Sequence, residues 1–208
     1  MKPLTIALSK GRLLAPALSL FEKIGLIALP DRGRQLVFDS TDGRCQFLLV
    51  KPVDVPTYVE QGAADIGIVG GDVLLESDSD VLCPLMLGYG ACRIVVAAPR
   101  GDAITASGRP RRIATKYPRI AERFFSEQRI PAAMIRLGGS VELAPSMGLS
   151  DWIVDLVETG RTLVENGLEP IAEITTTQAQ LIVNRASQKL RREGIGLIIE
   201  QLSKELPC

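Results

Sequence analysis

Apolar positions along this chain come in short runs separated by polar or Gly-rich turns. Runs rich in Val, Ile and Leu predict strands at Leu4–Leu8, Gln46–Lys51, Asp65–Val69, Arg93–Ala98, Arg112–Thr115, Met134–Leu137, Ile153–Val157, Ile171–Ile174 and Leu181–Asn184. Segments of helical period lie between them. In "RLLAPALSLFEKIG" the residues Leu14, Leu18, Phe21 and then Ile24 or Gly25 recur at helical spacing, Gly25 reads as a stop, and Pro16 is tolerable near the first turn. The tail "QKLRREGIGLIIEQLSKELPC" predicts one amphipathic helix with breaks at Gly194 and Gly196, and Leu190, Leu197 and Ile198 toward the core.

Strands alternating with helices give an α/β class with largely parallel sheets. No linker separates two independent halves. "LGYGACRIVVAAP" and "EITTTQAQLIVNRAS" read instead as an outward and a return crossing between two lobes. The expected division is residues 1–94 with 179–208 as one lobe and 95–178 as the other, with a ligand cleft between them.

Composition narrows the chemistry. At 208 residues and 46% hydrophobic content the chain can bury a substantial core, and its 24 Lys plus Arg balance 24 Asp plus Glu. A nucleic-acid or polyanion binder would carry an excess of cations, so an anion site here must be local. The short apolar N-terminus before Lys10 and Arg12 is neither a signal peptide nor a membrane span, and a cytoplasmic, membrane-free protein is expected. Cys45, Cys83, Cys92 and Cys208 show no C-x-x-C pairing, so reduced thiols are expected. The chain has no histidine. That excludes Ser-His and Cys-His catalysis and leaves carboxylates, cations and backbone dipoles.

The segment "DWIVDLVETGRTLVENGL" carries the most specific pattern. A buried strand ends in Thr159, Gly160, Arg161 and Thr162 and gives way to a helix; this reads as a monophosphate cradle or as an ordinary strand-to-helix turn with a Thr cap. Asp155 and Glu158 favour the cradle, because acids there can reach vicinal hydroxyls beside a bound phosphate. In "IALSKGRLL", Ser9, Lys10, Gly11 and Arg12 sit between strand and helix, where two cations suit a pyrophosphate or triphosphate or simply cap a helix. Lys51 follows a strand and faces either the cleft or solvent. Asp72 in the "GGD" turn reads foremost as a helix cap. Lys116 and Tyr117 occupy another strand-to-helix turn, where Lys116 is a candidate phosphate contact. Trp152 reads as core or interface, and Tyr89 as the aromatic to watch for stacking on a ring-bearing ligand, since aromatics make up only 4% of the chain. Arg109, Arg111 and Arg112 read foremost as a solvated loop, with a partner-contact surface as the alternative.

Upstream, "ELAPSMGLSDWIVDLVETGRTL" is similar over its whole length to the signature of ATP phosphoribosyltransferases. Glu142, Gly148, Ser150, Ile153, Asp155, Leu156, Thr159, Gly160, Thr162 and Leu163 fill its fixed positions. The signature leaves position 158 open, so the resemblance supports Asp155 over Glu158. It implies that Thr159–Thr162, with Arg161 among them, holds the 5-phosphate of phosphoribosyl pyrophosphate, that Asp155 contacts the ribose, and that Glu142 lines the sugar end. "ALSKGR" looks like the family's N-terminal motif, which gives Lys10 and Arg12 a role at the phosphates. Arg34 in "DRGRQLVF" stands where the family has an active-site arginine, with Arg32 the competing choice. "VKPVDVPTYVEQGAADIGIVGGDVLLE" resembles the first lobe of type II periplasmic-binding-protein folds, to which the family belongs.

The resemblance implies transfer of a phosphoribosyl group to adenine N1 of ATP, the first step of histidine biosynthesis. Magnesium would arrive on the substrate phosphates, with no protein metal cage. The chain ends at Cys208 without a regulatory domain, so it looks like the family's short form. Such a chain acts with a histidyl-tRNA-synthetase-like regulatory subunit in a hetero-oligomer, and a homodimer is expected when it is alone. A non-catalytic small-molecule-binding or effector-sensing domain of the same fold is the alternative.

Overall fold

A computed structural model describes residues 2–27, 35–104 and 109–206. The chain forms two compact units: Met1–Gly90 with Gln178–Cys208, and Ala91–Thr177. The outward boundary thus falls a few residues earlier than the sequence suggests. The reason is that the strand starting at Cys92 pairs only with strands of the second unit.

In unit 1 the order is β1 (Leu4–Ser9), α1 (Leu14–Lys23), β2 (Val37–Asp39), β3 (Cys45–Val50), α2 (Val55–Glu60), β4 (Ile66–Gly70), α3 (Gly71–Ser77) and β5 (Leu82–Met86). Unit 2 then contributes β6 (Cys92–Pro99), β7 (Arg111–Thr115), α4 (Pro118–Glu127), β8 (Ala132–Arg136), β9 (Trp152–Val157), α5 (Arg161–Glu165) and β10 (Leu168–Thr177). The chain returns to unit 1 through β11 (Ala179–Val183), α6 (Arg185–Leu190) and α7 (Arg192–Glu205).

The unit 1 sheet runs β2-β3-β1-β4-β11-β5 and the unit 2 sheet β10-β6-β9-β7-β8. β1 is parallel to β3 and β4, while β11 is antiparallel to β4 and β5. In unit 2, β7 is parallel to β8 and β9, and β6 is antiparallel to β9 and β10. β2 and β5 escape sequence reading for physical reasons. β2 is only three residues long, and β5 carries Pro84, which lacks a ladder donor and is admissible because β5 lies at the sheet edge.

Both faces of each sheet are covered, so the central strands read as continuous apolar runs instead of alternating ones. In unit 1 one face packs Ile6, Leu8, Phe21, Phe47 and Leu181 together, and the other packs Ala7, Val55, Val59 and Ile182. In unit 2, Trp152 stacks on Phe125 of α4 with ring centroids 6.1 Å apart, and its indole N–H donates to Asp102 Oδ2 at 2.8 Å. Trp152 is therefore a core residue.

Two helical expectations need correction. The buried stripe of α1 is Ala17, Leu20 and Phe21, preceded by Leu13, with Leu14 and Leu18 at its margin; Gly25, at φ 79°, ends the helix as expected. The C-terminal segment is two helices that part at Arg191, and Gly194 and Gly196 lie inside α7. Leu190 and Leu197 are 84% and 46% exposed, and Ile195, Ile198 and Leu202 form the buried stripe. The break follows from a polar clamp. Arg191 donates to Asp65 Oδ2 at 2.5 Å, to Pro3 O at 3.1 Å and to Lys2 O, while Asp65 also accepts from Thr5 N and from the Ser187 hydroxyl. Satisfying that buried carboxylate takes precedence over helix continuity. Gly194 stays helical because a Cβ there would come within 3.2 Å of Leu4 Cδ1, so its lack of a side chain lets α7 approach β1.

Gly67 of β4 has a similar role: a Cβ would stand 2.8 Å from Val59 Cγ2, 2.9 Å from Val55 Cγ1 and 3.1 Å from Ile182 Cγ1. Gly67→Ala is expected to destabilise the protein by about 1–3 kcal/mol through overpacking of α2 on the sheet. Chemical denaturation with an unchanged m-value checks it, and wild-type stability would mean that α2 retreats freely.

Candidate active site

Parallel strands end at the same edge of a sheet, and this gathers the site residues of each unit. In unit 2 the chain leaves β7 for β8 on one side and then returns to β9 on the other. The end of β7 is therefore a switch point, where open α/β sheets bind ligands. Three turns meet along that edge: Lys116–Tyr117 after β7, Gly138–Ser140 with the 3-10 turn Val141–Leu143 after β8, and Glu158–Gly160 after β9.

Asp155 lies on β9 and is half-buried. Its Oδ1 accepts from Leu156 N at 2.9 Å and is 3.7 Å from Lys116 Nζ. Burial pushes its pKa above the ordinary carboxylate value. Lys116 and the Leu156 N–H pull the other way, and the Glu142 charge adds to the rise. Glu142, half-buried in the 3-10 turn, is thus close enough to Asp155 to be felt electrostatically. Glu158 is exposed beyond the end of the strand, so the two acids of this segment occupy different environments.

Gly160 occupies the cap position of α5 at φ 79°, a left-handed conformation that favours glycine. The first N–H groups of α5, as in any helix, lack intrahelical partners. Thr159, Arg161 and Thr162 are exposed around Gly160, and the Arg161 N–H reaches Thr159 Oγ1 only at 3.5 Å. Backbone donors, two hydroxyls and a guanidinium make this a chemically suitable anion cradle.

Thr115 is a contributor that sequence reading missed. Fully buried, its hydroxyl donates to Val154 O at 2.7 Å and accepts from Tyr117 N at 2.9 Å. It fixes the Lys116 turn against β9. A threonine ending a strand carries no sequence signal for such a role.

Unit 1 repeats the switch-point geometry at β1, flanked by β3 and β4. Lys10 and Arg12 are exposed in the turn after β1, with Gly11 at φ 97° between them. Lys10 N donates to Val50 O at 2.9 Å, which holds this turn beside the end of β3, where Lys51 is exposed. Ser9 requires correction. It is 2% exposed, and its hydroxyl donates to Ile68 O at 3.2 Å, so its side chain ties β1 to β4 and is not free as the sequence suggests. Asp72 is buried in the first turn of α3 and is not its cap; Gly70 takes that position. Tyr89 is half-buried with its ring against the unit 1 core, and its hydroxyl is buried with no hydrogen-bond partner among the described residues. Arg34 and Arg32 lie outside the described residues.

Of the arginines expected in a solvated loop, Arg109 and Arg112 keep side chains 70% and 44% exposed, yet all three have protein partners. Arg112 donates to Asp151 from its backbone at 2.8 Å and its side chain at 3.2 Å, Arg109 reaches the same carboxylate at 3.4 Å, and Arg111 lies 4.6 Å over the Trp152 ring. Burial alone would raise the Asp151 pKa; the Arg112 hydrogen bonds and the two guanidinium charges outweigh it and hold it low. Cys45 and Cys92 are buried free thiols and Cys83 is an exposed one. Burial pushes Cys45 up to about 11, which keeps it a thiol at neutral pH. Cys208 lies outside the described residues. Among the described residues no cluster of three or more His, Cys, Asp or Glu could hold a metal, and no helix is long and apolar enough to cross a membrane.

Comparison with known proteins adds to this geometry. A family model described as ATP phosphoribosyltransferase matches residues 51–204. The ATP phosphoribosyltransferase of Geobacter metallireducens is 48% identical across 98% of this chain and 98% of its own length. That of Sorangium cellulosum is 49% identical across 97% and 95%. Among solved structures, the ATP phosphoribosyl transferase (HisG:HisZ) complex from Thermotoga maritima contains a chain 38% identical, with a TM-score of 0.86 and 97% of each chain covered. The alkanesulfonate-binding protein SsuA from Xanthomonas axonopodis gives a TM-score of 0.59 at 13% identity, covering 98% of this chain and 73% of its own. This last likeness shows the fold alone: two α/β sheets of periplasmic-binding-protein type.

The raised pKa of Asp155 generates a stability prediction. An acid whose folded pKa exceeds its unfolded value binds protons better when folded, so stability falls as pH rises from 3.8 through the folded value. Above that window the buried charge costs stability in full. Asp155→Asn keeps an acceptor for Leu156 N and removes the charge. Without ligand it is expected to melt above wild type at neutral pH, with the gain vanishing as pH falls toward 3.8. A lower melting temperature at pH 7 would show that the ion pair with Lys116 outweighs burial.

Proposed function

The chain belongs to the ATP phosphoribosyltransferase family, and on that premise we propose how its residues divide the work of phosphoribosyl transfer. The reaction joins N1 of ATP to C1 of phosphoribosyl pyrophosphate and releases pyrophosphate, the first step of histidine biosynthesis. The observation that carries the assignment of residues is the placement of Asp155, half-buried on β9, beside the exposed Thr159–Thr162 turn at the carboxyl edge of the unit 2 sheet.

In this reading the Thr159–Thr162 turn takes the 5-phosphate through backbone N–H groups, the two hydroxyls and Arg161. Asp155 accepts hydrogen bonds from the ribose hydroxyls, and Glu142 lines the sugar end. The turn after β1 brings the charges of Lys10 and Arg12 to the pyrophosphate or triphosphate, with Gly11 allowing close backbone approach. Arg34 has the same task by resemblance to the family. Lys51 and Asp72, at the ends of β3 and β4, complete the carboxyl edge of the unit 1 sheet.

The lack of histidine agrees with this chemistry. Adenine N1 offers a lone pair and carries no proton, so bond formation at C1 needs no general base. The C1–oxygen bond breaks with its electron pair leaving on pyrophosphate, and the proton later shed by the exocyclic amine passes to water or a phosphate. What the protein must supply is orientation of two polyanions and stabilisation of the departing charge. Magnesium accompanies the substrate phosphates and retains several of its waters, as it does at most phosphate sites.

The Thermotoga maritima neighbour, a HisG:HisZ complex, supports a regulatory partner for this chain. This chain spans 98% of the length of its Geobacter metallireducens relative, so the two are the same size class. Feedback by histidine then enters through a second, histidyl-tRNA-synthetase-like chain that shifts the catalytic chain between states. A homodimer is the form proposed for the catalytic chain alone, in the cytoplasm.

Two measurements test this reading. Calorimetry on folded Asp155→Asn is expected to show phosphoribosyl pyrophosphate binding weakened by about 1.5–3 kcal/mol, the usual range for a hydrogen bond to a charged group. Unchanged affinity would remove Asp155 from the sugar site. The isolated chain should release pyrophosphate from ATP and phosphoribosyl pyrophosphate at a rate indifferent to histidine, and become histidine-sensitive once the regulatory chain is added. Strong inhibition of the isolated chain by sub-millimolar histidine, not competitive with either substrate, would sink the two-protein scheme.

A further inference from the structure

We propose that Lys116 is a positioning residue for Asp155, holding that carboxylate charged and aimed at the ribose, and does not itself grip a substrate phosphate. The inference rests on Asp155 as the ribose contact.

Strand register is the origin of the pair. Thr115 of β7 stands opposite Val154 of β9 in a parallel ladder, so the next residues, Lys116 and Asp155, come out side by side at the sheet edge. The Thr115 hydroxyl, bonded to Val154 O and to Tyr117 N, fixes the peptide that carries Lys116. The ammonium lies 3.7 Å from Asp155 Oδ1. Leu156 N takes the same oxygen at 2.9 Å. Both protein partners of the carboxylate thus fall on Oδ1, and Oδ2 accepts no hydrogen bond among the described residues. That leaves one oxygen for a substrate hydroxyl.

The charge balance gives the lysine its task. Asp155 is half-buried, and the charged groups that act on it are Lys116 from the β7–α4 turn and Glu142 from the 3-10 turn after β8. Burial and Glu142 both favour the protonated acid. The ammonium is the one side-chain charge that opposes them. A protonated Asp155 would keep its shape but lose the charge that makes it a strong acceptor. A lysine gripping phosphate would act differently, as a point charge whose contribution is independent of the carboxylate's ionisation.

The test is the dissociation constant of phosphoribosyl pyrophosphate from pH 5.5 to 8.5 for wild type, Lys116→Met and Lys116→Arg. Substrate phosphates titrate near pH 6, so the quantity compared is the variant-to-wild-type ratio at each pH. For Lys116→Met the ratio is expected to stay within about threefold at pH 8.5 and to grow to about tenfold or more at pH 5.5, whereas Lys116→Arg should keep it flat. In an Asp155→Asn background, Lys116→Met should add no pH dependence. Carboxyl NMR of the unliganded protein supplies a readout free of substrate: the Asp155 titration midpoint should rise in Lys116→Met. A ratio that stays flat, or that shrinks toward pH 5.5 as loss of a cation gripping a titrating phosphate would give, overturns the proposal, as does an unmoved Asp155 midpoint. Failure of the wild type itself to bind phosphoribosyl pyrophosphate would instead count against the functional reading on which the inference stands.

Discussion

Parallel pairing is the constraint on which the rest of this structure depends. Each sheet has three adjacent parallel strands, β3-β1-β4 in unit 1 and β8-β7-β9 in unit 2, and parallel neighbours must end at one edge. Helices are then required on the faces to return the chain, which buries both sides of the central strands and leaves their carboxyl ends as the place where polar side chains and free backbone groups collect. Lys10, Arg12, Lys51 and Asp72 in one unit, and Lys116, Glu142, Asp155 and Thr159–Thr162 in the other, come from turns far apart in sequence and reach their edges for this single reason.

Within unit 2 the candidate site centres on one half-buried acid, Asp155. A carboxylate drawn partly out of water loses hydration, and it stays useful as a charged acceptor only if neighbours restore what it loses. The Leu156 N–H and Lys116 do so on one oxygen, and Thr115, itself silent in chemistry, keeps Lys116 in place. Stability and function pull apart here. The same buried charge that is expected to weaken the empty fold is the one proposed to hold a sugar.

Buried polar groups elsewhere are settled by similar means with no link to chemistry. Asp65 is satisfied by Thr5 N, Ser187 and Arg191, and the price is a break between α6 and α7. Asp151 draws in Arg109 and Arg112, which turns an apparent basic patch into a scaffold around Trp152. In both cases a shielded carboxylate gathers its cations from distant parts of the chain, a pairing that composition does not record.

The sequence by itself determined a good deal of this protein. Nine strands were legible as apolar runs, the central ones because strands buried on both faces have nowhere to put polar residues, and the strand–Thr–Gly–x–Thr turn was legible because left-handed glycine and exposed hydroxyls follow directly from residue type. Family membership was likewise carried by the spacing of Glu142 through Leu163. Tertiary structure alone decided what depends on partners distant in the chain. It buried Ser9 against Ile68 O, cut the C-terminal helix at Arg191 to satisfy Asp65, turned Leu190 and Leu197 outward, and admitted Pro84 to an edge strand. It also placed Lys116 beside Asp155, 39 residues on, through the β7–β9 register. Local pattern records whether a residue prefers water, and only the packed fold assigns which neighbour will replace it.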